Sequence, residues 1–260
     1  FTTVLGFVLN GHPSLQEKIL NSALRQFPII GDQISKNIGS LKGSGVALAV
    51  GLIGTLWAGM GVTQAGENAM NAVWNVPARK RPNALFSRVR GLVFLVVFGI
   101  GVLGTTVLAG FGTTGAGVAV RIGAFAGAAL INFGMFLIAF RVLTAEKLGW
   151  SDVLPGAVVA TVLWEILQAI GGWYVARSLR GASQVYGFFA IVIGLLGWLY
   201  LGAQMTLLAA EINVVWRRKV WPRSLVQPPL TLTDKEALRR LAMMEERRPE
   251  EEIVVTFKDS

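Results

Sequence analysis

The sequence contains no cysteine and a single histidine, His12. Without thiols there is no disulfide, no thiolate metal site and no cysteine nucleophile, although disulfide-free chains occur in every compartment. One imidazole per chain rules out a histidine-built zinc centre. Charge is scarce too: 15% of the 260 residues are charged against 53% hydrophobic. That is too little polar surface to cover a water-soluble globule, so the expected solvent is lipid. Nucleotide-handling signatures are missing as well. There is no GxxxxGK[ST] loop, and the glycine-rich stretches lack the strand-turn-helix context of a dinucleotide fingerprint.

What is abundant fits a membrane. The chain has 31 glycines and 8 tryptophans, residues over-used where membrane helices touch and at headgroup level. The net charge of +9 would suit nucleic acid in a polar chain. In one this apolar it more simply sets orientation and meets anionic headgroups, so no nucleic-acid partner is expected.

A hydrocarbon core asks for about 20 apolar residues per helix. Gly43 to Gly66, Gly91 to Gly110, Ile122 to Phe140 and Gly181 to Ala210 contain no Asp, Glu, Lys or Arg, and Val153 to Ala176 contains only Glu165. These predict five spans, the last taken as 185–210. Phe1 to Leu9 reads as the tail of a sixth whose start precedes the sequence. The predicted fold is an all-α polytopic transmembrane bundle over residues 1–221. An amphipathic segment at 13–42 is expected on the outer surface, or else an ordinary structured loop.

Alternating sides places Arg79, Lys80, Arg81, Arg88, Arg90, Arg141, Lys147, Arg217, Arg218, Lys219 and Arg223 together. By the positive-inside rule this face is cytoplasmic, with both termini inside. Trp74, Trp150, Trp216 and Trp221 lie beside the same helix ends, as interfacial tryptophans would. After Pro222 the chain becomes polar. Thr233 and Glu236 have capping-box spacing and Ala237, Leu241 and Met244 share a helical face, predicting a tail helix over 234–248. It is either a solvated tail helix or one that docks on the bundle or on a partner.

Candidate functional residues are the polar groups that lipid penalises. Glu165 falls near mid-bilayer, with Trp164 before it and Gln168 one turn later. It should face a cavity or a donor, or be protonated. The functional reading is a substrate or proton site, and the plainer one a packing carboxyl. Glu67, Asn68 and Asn71, and likewise Glu211 and Asn213, sit near the arginine clusters, where ion pairing is the economical explanation and substrate contact by Glu67, Asn71 and Glu211 the alternative. Arg79, Lys80, Arg81, Arg88, Arg90, Arg217 and Arg218 are candidate headgroup contacts at about 1 kcal/mol each, or simply topology signals. Arg121, Arg177 and Arg180 run against the charge bias at the outer mouth, suggesting engagement of an anionic group there. Gly123 and Gly127 form a GxxxG pair, and Gly99, Gly101 and Gly104 crowd the preceding span; in a polytopic protein such residues more often serve intrachain contact than dimerisation. No catalytic residue, metal or cofactor is expected.

Several pieces together resemble one family. They are Leu154-Pro155-Gly156-Ala157, Leu163-Trp164-Glu165, Tyr174, Val185-Tyr186-Gly187, Trp198-Leu199-Tyr200 and Ala209-Ala210-Glu211-Ile212-Asn213, with Trp57, Asn71, Trp74 and Pro77 earlier. This order and spacing resembles the YihY/virulence factor BrkB family from Phe1 to about Trp221, excluding the tail. Where many relatives carry Lys one turn after the intramembrane Glu, this chain has Gln168. The resemblance implies a six-helix bacterial inner-membrane protein. It also implies a role in the envelope, as a transporter of lipid or lipid-linked glycan, and possible envelope partners for the tail. The family has also carried a ribonuclease label, for which this sequence offers no cluster of acids or histidines in an aqueous domain. The rival reading is a non-transporting scaffold or subunit.

Overall fold

Each long apolar run coils into a helix, because in hydrocarbon every backbone N–H and C=O must find its partner within the segment. The computed structural model describes residues 45–111, 117–224, 229–248 and 250–257, with side chains described for all but 45–48, 52, 111 and 172–191. The expected partial span at 1–9, the amphipathic segment at 13–42 and the side chains of Arg177 and Arg180 lie outside the described residues. The elements are α1 (Gly45–Val73), a single 3-10 turn (Ala78–Lys80), α2 (Ala84–Phe111), α3 (Val118–Val142), α4 (Trp150–Arg218) and α5 (Leu232–Met243). No strand occurs among the described residues. This is an all-α polytopic bundle.

Among the described residues, four segments are long and apolar enough to cross a membrane: Ala84–Gly110, Val118–Val142, Trp150–Gly171 and Val192–Arg218. Only 6% to 28% of each apolar stretch is buried inside the protein, so most of that surface points outward, as it must when the solvent is lipid. The remaining expected span falls within α1, whose 29 residues extend about 43 Å.

Helix α4 runs over 69 residues, yet its two ends meet. Gly156 packs on Ala209 and Asn213, Trp164 lies against Gly202, and Gly171 packs on Trp198. The limbs Trp150–Gly171 and Val192–Arg218 are therefore antiparallel neighbours. Pro155 has no N–H and interrupts the helical ladder. The N–H of the next residue, Gly156, instead donates to Asn213 Oδ1 at 2.6 Å.

Among the described residues, α2 packs along α3, α3 on α4, and α1 on both α2 and α4. Some of the glycines singled out by the sequence make these approaches close, and others do not. A Cβ at Gly101 would strike Met135, and one at Gly127 would press on Leu108 at 3.1 Å, whereas Gly99 and Gly123 face open space. The contact is intrachain and does not follow the GxxxG spacing.

The apolar core sits at one end of the bundle, built from Met70, Trp74, Val76, Phe140, Leu143, Leu148, Val153, Ala157 and Ala210. This is the end bearing the arginine cluster, called the basic face below. There α1 closes in a Schellman turn: Val76 N–H donates to Asn71 O at 2.8 Å and Asn75 N–H to Ala72 O at 2.9 Å, with Asn75 at φ 47°. Asparagine tolerates that left-handed backbone better than most residues do.

Packing of this kind makes a contrast measurable. Gly156→Ala sets a methyl against the Ala209 carbonyl and should cost about 3 kcal/mol or prevent assembly. Gly123→Ala, into open space, should be neutral or stabilising by up to about 1 kcal/mol. Thermal unfolding of the two variants in detergent checks this, and equal losses would contradict the packing described.

Candidate functional site

The mid-depth carboxylate has a partner. Glu165, on the first limb of α4, accepts a hydrogen bond at Oε1 from Asn132 Nδ2 of α3 at 2.9 Å. Asn132 lies ten residues before the end of α3, about 15 Å from the basic face by helical rise. Glu165 is half-buried, so the pair is not sealed in. Gln168, one turn on, adds a buried Oε1 without a hydrogen-bond partner among the described residues. Trp164 turns the other way, onto Gly202 of the second limb. The arrangement is a carboxylate, a carboxamide pair and an unused acceptor inside an apolar bundle, suited to exchanging a proton or meeting a donor group.

Around the basic face the arginines act as clamps. Arg218 donates to Trp74 O at 2.6 Å and to Glu146 Oε2 at 3.0 Å, and lies over the Trp74 ring at 5.5 Å. Arg217 meets Glu146 and Asp152, each at 3.5 Å. Arg90 donates to Thr144 O at 2.5 Å and Arg141 O at 3.3 Å, and Arg81 to Val76 O at 3.3 Å. Besides the two carboxylates, the acceptors are carbonyls at or just past the ends of α1 and α3, where helical geometry leaves C=O groups without N–H partners. Asn71, 3% exposed, completes the joint by accepting from Ala145 N–H at 2.8 Å.

These contacts correct several expectations. Arg79, Arg81, Arg90, Arg217 and Arg218 each hold a protein acceptor. Lys80 and Arg88 remain exposed, without ion pairs among the described residues. Glu67 is buried and accepts a hydrogen bond from the Ser87 hydroxyl, while its Oε1 has no partner among the described residues. Glu211 is exposed, and the acids that pair with Arg217 and Arg218 are Glu146 and Asp152. Trp74 is not interfacial but fully buried, whereas Trp150, Trp216 and Trp221 are at least half exposed. Arg121 stands exposed at the far end of α3, with no side-chain partner among the described residues.

The tail folds back. Its N-cap is Thr231, two residues ahead of the expected Thr233, and Asp234 is the reciprocal member of the box. Asp234 Oδ2 accepts from the Thr231 hydroxyl at 2.6 Å, Thr231 N–H at 3.1 Å and Ser224 N–H at 3.2 Å, and Oδ1 from Arg223 at 3.2 Å. The Thr231 hydroxyl above all, then the two backbone donors and Arg223, outweigh burial and pull its carboxyl from 3.8 to about 2. Glu246, 1% exposed, pairs with Arg79 at 2.6 Å. The tail is thus latched to the basic face. Among the described residues no group of three or more His, Cys, Asp or Glu is placed to hold a metal.

A family model described as Virulence factor BrkB matches residues 1–228. The UPF0761 membrane protein RSc1559 of Ralstonia nicotianae is 32% identical over 68% of this chain and 43% of its own length. The UPF0761 membrane protein Smlt0865 of Stenotrophomonas maltophilia is 29% identical over 70% and 42%. A Bacillus subtilis protein, YfkH, whose name carries the words "ribonuclease-like", is 30% identical over 35% and 32%. The chain therefore spans less than half the length of these relatives. No solved structure matches.

Two outcomes follow for the basic face. Arg218→Ala leaves the Trp74 carbonyl without its donor and Glu146 with only the longer Arg217 contact, and should cost about 2 kcal/mol in detergent unfolding. Arg218→Lys should recover only part of this, lacking the planar fork. Because Asp234 is more acidic folded than unfolded, its contribution is complete above its ordinary value of 3.8 and is lost as pH falls toward about 2. Proteolysis of the tail should accelerate across that window in the wild type, while Asp234→Asn should be fast at every pH.

Proposed function

This chain belongs to the virulence factor BrkB family, and on that premise we propose that it moves an amphiphilic, anionic substrate across the bilayer. Phospholipid or a lipid-linked glycan precursor is the substrate class. The observation carrying this reading is the half-buried Glu165 held by Asn132 near the middle of an apolar bundle, with the Gln168 acceptor beside it. A carboxylate costs several kcal/mol at that depth, and a purely structural joint would use neutral groups. Glu165 would exchange protons with the substrate or accept from its hydroxyl or amine groups. Arg121 would meet the headgroup at the opposite membrane face.

In the same reading the basic face is cytoplasmic, the membrane is the bacterial inner membrane and both termini lie inside, as positive-inside charge placement requires. Any driving force comes from an ion gradient, a partner or equilibration. No residue is assigned a catalytic role.

One observation favours a second reading, an interaction subunit that recruits envelope proteins through its tail. The latched α5 leaves Leu232 86% and Leu241 53% exposed.

Reconstituted vesicles separate the two. Fluorescent anionic lipid should cross vesicles holding the protein much faster than empty ones, and Glu165→Ala should slow it about tenfold, the effect of about 1.4 kcal/mol in a barrier. Movement equal to empty vesicles sinks the transport reading. A stoichiometric partner retained in detergent and lost on deleting 232–260 would put the interaction subunit in its place.

A further inference from the structure

A concavity of about 370 Å³ opens between α1 and α2, apart from the Glu165 pair, with Trp57, Met60, Gly61, Gln64, Ser87 and Arg88 in its wall. The two helices run antiparallel here, since Ser87 reaches Glu67 and Gly91 packs on Thr63. The wall therefore changes character with depth. Trp57, Met60 and Gly61 lie deeper in the membrane, and Gln64, Ser87 and Arg88 nearer the basic face. From this polarity gradient we infer that the cleft binds one anionic glycerophospholipid, phosphate on Arg88 and acyl chain along Trp57 and Gly61.

Arg88 supplies the first argument. Its neighbours Arg79, Arg81 and Arg90 each hold a protein acceptor, but Arg88 has neither ion pair nor hydrogen bond among the described residues. A cation left unpaired in the wall of a lipid-facing cleft attracts a phosphate. The second argument is the hydrogen-bond direction at Ser87. Its proton goes to Glu67, which is 5% exposed, so its oxygen has only acceptor capacity left for the cleft. A ligand that also donates there, as a glycerol headgroup does, satisfies both groups. Gly61 supplies the third, because open space surrounds its missing side chain and the floor is left clear for a chain.

The site requires binding only, so it stands whether or not the protein moves lipid. Quenching of Trp57 by bromine-labelled lipid measures it directly. The full chain is placed in mixed phosphatidylcholine–phosphatidylglycerol vesicles of fixed composition, with the bromine on one lipid or the other. A Trp57→Phe protein identifies the Trp57 signal. Brominated phosphatidylglycerol should be favoured about fivefold at Trp57, the effect of one cation at a membrane surface. Arg88→Ala and Gly61→Phe should each abolish the preference, the latter by filling the cleft without straining the helix. Lys80→Ala, which removes the same charge outside the cleft, should keep it. No preference in the wild type overturns the site. Equal loss in Lys80→Ala overturns it in favour of diffuse surface charge, and loss in excess inorganic phosphate in favour of a free-phosphate site.

Discussion

Arg218 touches three things at once: the carbonyl that closes α1, the face of the indole carrying that carbonyl, and Glu146 in the loop after α3. The need it meets is general to helices in lipid. Their last carbonyls have no N–H to accept from, and little water reaches a buried end. Here the helix ends gather around a fully buried Trp74, and arginine supplies the missing donors. Its planar fork serves a carbonyl and a carboxylate together, which an ammonium does less well. The apolar core collects at the same end because only there do α1, α3 and both limbs of α4 pack around common side chains.

Away from that joint the bundle is governed by lipid. The outward faces of α2 and α3 are apolar and their mutual approach relies on Gly101 and Gly127. Polar groups inside the spans are few, so each stands out. The Glu165–Asn132 pair is one, and the Gln64, Ser87 and Arg88 group is another. The first lies within the bundle at mid-depth and the second in a lateral cleft close to the basic face. They call for different things: passage through the bilayer in one case, residence at its edge in the other.

The spans and the basic face were legible because hydropathy and positive charge are local signals that a window of sequence contains. Glu165 was legible because a carboxyl inside an uncharged run is costly wherever it points. Asn132 was not, since a neutral amide in a membrane helix carries little penalty and no spacing rule links it to a residue 33 positions on. The arginines, candidates for headgroup contact or simply topology signals, hid their protein partners for the same reason. Their acceptors are backbone carbonyls and Glu146 and Asp152, up to 144 positions away, which no sequence pattern marks. In the tail, Thr231 with Asp234 and Thr233 with Glu236 have equal spacing. What decides between them is Arg223 and Ser224 folding back onto Asp234, a tertiary contact. The glycines repeat that lesson: Gly127 meets a neighbour and Gly123 does not, because rotation about the helix axis sets the contact face.

The clamp on Trp74 also bears on biogenesis. Ribosomes deliver α1 with its terminal carbonyl bare, and the donor arrives 144 residues later, at the last residue of α4. While the intervening 144 residues are made, α1 therefore holds an unfinished joint. Insertion of the limb that carries Arg218 completes it, so α1 and that limb depend on each other for a finished end.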